Sequence, residues 1–332
     1  MISYDVPPLP EIERIPSTGV RARLAFDQTV PRAFVHRTSV AEVFLTDALP
    51  SGDGRILVAA QWPRTHALLH SDRHGYTDPL LMIETVRQAA IYLAHQFHEV
   101  PLSSHFIFTG LDFQLEDPDG TLTGDSPLNV VLDCTFHSGH TPRRTTGRLD
   151  CVLEIRGRRV GRASAGLLAV PTGLYEALRR RAAQPPAPAG AGRRPKLPAA
   201  LVGRERREDV LLSRTPDGFQ LDVNRTHPGY FEHACDHLPG MVLVEGFRQA
   251  AYGLHHADEP RLPGRALPRL ISRLQVSFDA FGDLRSPVAL RREPSTAAHR
   301  PCAPIALTAT QGTATLARGA VTLAPVVPGR AR

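Results

Sequence analysis

The 332-residue sequence predicts an α+β protein made of two tandem copies of one unit, each a curved antiparallel sheet wrapped around a long central helix. Three observations predict it. The stretch DPLLMIETVRQAAIYLAH, Asp78 to His95, returns as LPGMVLVEGFRQAAYGLH, Leu238 to His255; Glu84/Glu245, Arg87/Arg248, Gln88/Gln249, Ala89/Ala250 and Ala90/Ala251 all lie 161 positions apart. Each copy is apolar nearly all round, so it must be buried on most sides. Segments with the two-residue alternation of strands surround both copies.

In chain order, AEVFLT (Ala41 to Thr46) reads as a strand and matches EDVLLS (Glu208 to Ser213) at a separation of 167; the turn-rich ALPSGDG, present only in the first half, absorbs the six-residue difference. RTHALLHSD (Arg64 to Asp72) matches RTHPGYFEH (Arg225 to His233), again 161 apart. After the first helix, LDFQL (Leu111 to Leu115) corresponds to LQVSF (Leu274 to Phe278). LNVVLDCTF and RLDCVLEIR alternate, with Cys151 on the buried side, and the chain turns at Arg156-Gly157-Arg158 into RVGRASAGLLAV, giving consecutive antiparallel strands. PIALTATQG and TATLARGAVTLAPV repeat this more faintly in the second half. Between the halves the chain is rich in proline, alanine, glycine and arginine and cannot build a core, so the expected division is a first domain at 1–182, a linker at 183–200 and a second domain at 201–332. One long helix with many antiparallel strands, twice over, is a double hotdog.

Composition narrows the function. No apolar run approaches the ~20 residues of a membrane span and the N-terminus has no signal pattern, so a cytoplasmic protein is expected. The net charge of +6 is almost all arginine, with Lys196 the single lysine, and no helix-turn-helix or finger turns it into a nucleic-acid site. The cysteines Cys134, Cys151, Cys235 and Cys302 have neither zinc nor disulfide spacing, and no metal is expected.

The polar residues set into the helices carry the chemistry. Glu84, Arg87 and Gln88 are three and four apart and share one side; the same holds for Glu245, Arg248 and Gln249. In an apolar helix such groups must pair with each other or line a cleft. An exposed i, i+3 ion pair is the plainer alternative, and recurrence in both halves weighs against it. Histidines precede each helix: His66, His70 and His74, then His227, His233 and His237. His66 and His227 are matched within RTH, and a histidine beside a carboxylate suits acid–base work. Asp78 is placed to cap the first helix; Pro239-Gly240 breaks the chain before the second, whose opening amides suit an anion or a carbonyl oxygen.

VPRAFVHRTSVAEVFLTD (Val30 to Asp47), DPLLMIETVRQA and DHLPGMVLVEGFRQA (Asp236 to Ala250) together resemble the A-factor biosynthesis, or AfsA, family of γ-butyrolactone synthases, over roughly Val30 to Val326. The resemblance implies tandem hotdog domains and transfer of a β-ketoacyl chain from acyl carrier protein to the hydroxyl of dihydroxyacetone phosphate. It places the family's motif glutamates on Glu84 and Glu245 and its second-helix arginine on Arg248. The second helix also looks like that of hotdog dehydratases, but Phe231-Glu232-His233-Ala234-Cys235 departs from the dehydratase histidine motif.

The expected mechanism is direct acyl transfer without a covalent enzyme intermediate or a cofactor, since no GxSxG elbow is present. Glu245 or Glu84 is expected as general base with a burial-raised pKa, and Arg248 to bind the acceptor's phosphate or to keep the glutamate oriented. Arg87, Gln88, Gln249, His66, His227 and His233 are expected to contact substrate, and amides near Gly240 to meet the oxyanion. A thioesterase or dehydratase acting on acyl-thioesters, and a non-catalytic acyl or butyrolactone binder, stay open, as does monomer against homodimer.

Overall fold

The computed structural model describes residues 18–182, 194–258, 268–294 and 302–326. The chain divides into two compact units between Leu178 and Arg179. Of the expected linker, 183–193 lies outside the described residues.

In the first unit, a helical turn α1 (Thr18–Arg21) and two 3-10 turns (Arg32–Val35, Val40–Glu42) precede strands β1 (Leu45–Gly52) and β2 (Arg55–Trp62). Then come helix α2 (Pro79–Phe97) and strands β3 (His105–Leu115), β4 (Leu128–Thr141), β5 (Arg144–Ile155) and β6 (Arg158–Val170), followed by α3 (Thr172–Ala182), within which the division between the units falls. The strands pair antiparallel in the order β1-β2-β4-β5-β6-β3, and α2 lies against all of them. Asp78 caps α2 by accepting from the Leu80 amide at 2.9 Å, with Pro79 in the first turn, where a missing N–H costs nothing. From Leu80 to His95 only Arg87 escapes full burial, as the all-round apolar pattern requires. Arg156 (φ 52°) and Gly157 (φ 72°) form the two-residue β5–β6 turn, the left-handed pair that matches strand twist. Cys134 and Cys151 face each other across β4 and β5, both buried.

The second unit repeats the plan. After 3-10 turns at Ala199–Val202 and Arg207–Asp209 come β7 (Leu212–Thr215), β8 (Gly218–Leu221), α4 (Gly240–Asp258), β9 (Arg269–Phe278), β10 (Val288–Arg292), β11 (Ile305–Gln311) and β12 (Ala314–Pro325). The antiparallel order β7-β8-β10-β11-β12-β9 is that of the first unit, strand for strand. The helix sits close to its sheet: a Cβ on Gly319 of β12 would lie 2.9 Å from the Phe247 ring of α4. The two units are hotdog folds. They differ in strand length, among other places at the first hairpin, where the extra residues of the first half lengthen both strands and only Asp53 and Gly54 turn the chain.

Candidate active site

Each central helix carries one buried carboxylate, and each carboxylate meets two guanidinium groups. Glu245 sits in the second turn of α4. Its Oε2 accepts from Arg248 Nε at 2.8 Å, and its Oε1 accepts from Arg204 Nε at 2.7 Å, from Gln249 Nε2 at 2.5 Å and from Arg248 Nη2 at 3.3 Å. Glu84 in α2 repeats this with Arg87 (Nε to Oε2, 2.8 Å; Nη2 to Oε1, 2.9 Å), Gln88 (Nε2 to Oε1, 2.9 Å) and Arg37 on Oε1. Helical spacing places the glutamate, arginine and glutamine on one face, as expected from the sequence.

Arg37 and Arg204 are the residues that sequence reasoning missed. Each follows the left-handed residue that ends a 3-10 turn, His36 (φ 52°) and Gly203 (φ 66°). A signal existed: carrying the 167-residue correspondence upstream from Ala41 aligns PRAFVHR (Pro31 to Arg37) with PAALVGR (Pro198 to Arg204).

The glutamines tie helix to strand. Gln249 Oε1 accepts from the Leu211 amide at 2.8 Å while its Nε2 donates to Asp209 O at 2.8 Å; Gln88 does the same with Phe44 N (3.0 Å) and Glu42 O (2.8 Å). Both side chains are completely buried, so each stands in for a stretch of backbone pairing.

The matched histidines close the same loops. His227 Nε2 lies 2.9 Å from Asp209 Oδ1, and its Nδ1 accepts from the Gly229 amide at 3.2 Å. His66 Nε2 lies 3.2 Å from Glu42 Oε2, and its Nδ1 accepts from the Leu69 amide at 2.9 Å. A ring whose Nδ1 accepts carries its hydrogen on Nε2, so both nitrogens are occupied. These histidines hold the loop rather than present a base. His233 is half exposed and pairs with its neighbour Glu232 at 2.7 Å. His70/His74 and His233/His237 are four apart, but in loops, where that spacing does not give a common face. Among the described residues no three His, Cys, Asp or Glu gather as metal ligands. Gly240 begins α4 with its Cα against Phe278, whose ring lies 3.4 Å from where a Cβ would be.

The electrostatics correct one expectation. Burial pushes the Glu245 carboxyl up, but the charges and hydrogen bonds of Arg204 and Arg248 outweigh it, and its pKa falls to about 2. Glu84 likewise falls to about 2 under Arg37 and Arg87. The burial-raised base expected at Glu245 or Glu84 is therefore not there: two arginines lower each carboxylate's pKa, and the sequence showed only one of them. The clusters also differ in openness, with the Arg37 and Arg87 side chains 14% and 18% exposed against 2% and 6% for Arg204 and Arg248. Arg248 is held further by Gly203 O at 3.0 Å and by the Tyr252 ring, 5.6 Å from its guanidinium carbon.

A duplicated hotdog with this cluster in both halves matches the A-factor biosynthesis hotdog domain, at residues 21–171 and again at 188–327. The chain belongs to the AfsA family. Among relatives, a 2-oxo-3-(phosphooxy)propyl 3-oxoalkanoate synthase of Streptomyces virginiae is 34% identical over 277 residues, covering 81% of this chain and 89% of that protein. A synthase of the same name from Streptomyces coelicolor is 36% identical over 228 residues, covering 67% of this chain and 71% of that protein. Among solved structures, an acyl-ACP thioesterase from Bacteroides thetaiotaomicron is 10% identical with a TM-score of 0.46, covering 83% of this chain and all of that one. In this AfsA-family chain the carboxylate, both guanidinium groups and the glutamine recur in each half.

Proposed function

We propose that this protein is an acyltransferase that moves a β-ketoacyl chain from acyl carrier protein to the hydroxyl of dihydroxyacetone phosphate, giving the phosphorylated ester that leads to a butyrolactone or butenolide signal. The observation that carries this reading is family membership over both halves, together with relatives named for that ester. The chemistry asks for cations for a phosphate and a carbonyl, and two paired guanidinium groups per helix suit both.

Within this reading, Glu84 and Glu245 are fixed anions that hold the arginines in place, because a carboxylate with a pKa near 2 and its oxygens engaged is a poor base. Arg248 and Arg87, with Gln88 and Gln249 behind them, orient the acceptor, and amides at Gly240 meet the oxyanion. The reaction draws on no cofactor. We further infer a cytoplasmic location; among the described residues no helix is long and apolar enough to cross a membrane.

The test is product identity. Incubation with β-ketoacyl carrier protein and dihydroxyacetone phosphate, followed by mass spectrometry, is expected to give the phosphorylated ester. Free β-keto acid or an enoyl thioester as the main product would overturn the reading in favour of a thioesterase or dehydratase.

A further inference from the structure

We propose that Arg87 of the first unit, rather than its counterpart Arg248, grips the phosphate monoester of the acceptor; this rests on the acyl-transfer reading above. Arg87 is the one residue of α2 from Leu80 to His95 that escapes full burial. Its Nε and Nη2 are spent on the two oxygens of Glu84, at 2.8 and 2.9 Å. A guanidinium carries five N–H groups in a planar fork, so three remain, two on Nη1 and one on Nη2. One from each of these nitrogens runs parallel off the end of the fork, the arrangement that matches two oxygens of a phosphate. Among the described residues Arg87 has no partner besides Glu84, and Nη1 is not sealed from solvent.

The fork is also fixed in place. Glu84 is buried and holds Arg87 through both oxygens, while Gln88 Nε2 (2.9 Å) and Arg37 engage Oε1 as well. A guanidinium already clamped on one edge loses little freedom when an anion takes the other. The two arginines and the one carboxylate carry a net charge of +1, so the cluster attracts an oxyanion. Glu42, whose backbone oxygen Gln88 holds at 2.8 Å, turns its carboxylate to His66 at 3.2 Å.

The second unit closes the same arrangement. Arg248 gives Nη2 to the Gly203 oxygen (3.0 Å) as well as to Glu245 (3.3 Å), and its guanidinium carbon lies 5.6 Å from the centre of the Tyr252 ring. Its side chain is 6% exposed against 18% for Arg87. Tyr230 is buried there too, its hydroxyl within the field of Glu245, Arg204 and Arg248 and donating to the Asp209 oxygen at 2.6 Å. The positions 161 before Tyr252 and Tyr230 are Ile91 and Leu69, which can neither hydrogen-bond nor stack a ring on a guanidinium. Of the two arginines that orient the acceptor, Arg87 is therefore the one with donors turned to solvent for a dianion.

The test is binding of the acceptor to the full chain without donor, measured by titration calorimetry with dihydroxyacetone phosphate and with dihydroxyacetone. Wild type is expected to bind the phosphorylated compound at least about tenfold more tightly. Arg87→Gln is expected to weaken that binding about 10- to 100-fold, the range for hydrogen bonds to a charged group, and to bind the two compounds nearly alike. In turnover the loss should fall on the KM for the acceptor and leave the KM for the carrier protein unchanged, which separates the acceptor's monoester from the phosphodiester of the carrier arm. Arg87→Lys keeps the charge beside Glu84 but not the fork; it decides the matter if Arg87→Gln does not fold, and is expected to lose affinity as well. Wild type that binds both compounds alike, a folded variant with wild-type affinity, or a loss confined to the carrier protein overturns the subsite. Absence of ester from wild type refutes acyl transfer instead, and leaves standing a phosphate preference that Arg87→Gln removes.

Discussion

Arg204 and Glu245, 41 residues apart in sequence, meet Nε to Oε1 at 2.7 Å with side chains 2% and 1% exposed. A pair so enclosed keeps its charges only because each partner is present. Glu245→Gln leaves Arg204 and Arg248 facing each other without their anion, and removing one partner of a buried pair costs about 3–5 kcal/mol. Urea unfolding monitored by circular dichroism is expected to show a loss of this size; a loss under 1 kcal/mol would mean that water or another anion takes the place of the carboxylate.

The two halves are not equally sensitive. The Arg37 side chain is 14% exposed, so solvent reaches the carboxylate it leaves behind, whereas that of Arg204 is 2% exposed. Arg204→Ala is expected to cost about 3–5 kcal/mol, and Arg37→Ala about 1.5–3 kcal/mol, the worth of hydrogen bonds to a charged group. Equal losses in thermal or urea unfolding would contradict the difference in enclosure.

Acid should unfold the protein through the same carboxylates. Glu84 and Glu245 have folded pKa values of about 2 against an ordinary 4.5. A depressed folded value gives stability that is fully present above the unfolded pKa and lost as pH falls through the folded one. Stability is therefore expected to be level from pH 7 to about 5 and to decline from there toward pH 2, by on the order of 3 kcal/mol per carboxylate. Unfolding free energies measured across this range check it, and an unchanged value at pH 3 would contradict it.

Gln249 is expected to matter as much as a charged residue. Gln249→Ala leaves the Leu211 amide and the Asp209 oxygen buried without that side chain, at about 1–3 kcal/mol for each unsatisfied group. Hydrogen exchange at the Leu211 amide should quicken markedly in this variant. Unchanged protection there would show that the side chain is dispensable.

How much of this the sequence shows follows from which contacts are local. The helices α2 and α4, the Asp78 cap and the Arg156-Gly157 turn rest on neighbours within a few residues, and the strand order follows from alternation and duplication. The glutamate–arginine–glutamine arrangement was legible because helical spacing places all three side by side. Arg37 and Arg204 were not, because they reach Glu84 and Glu245 across 47 and 41 residues from irregular turns with no period to read. Arg37 and Arg204 join Arg87 and Arg248 in lowering the pKa of the two carboxylates, against the rise expected from burial. His66 and His227 were found by their matching positions, but their work as loop ties depends on Glu42 and Asp209, whose side chains only the fold brings near.

Acceptor dependence tests acyl transfer most directly. Release of carrier-protein thiol from a β-ketoacyl donor should be negligible without dihydroxyacetone phosphate and rise to saturation as it is added, matched mole for mole by ester. Thiol released at the full rate with no acceptor present would contradict transfer and make the protein a hydrolase.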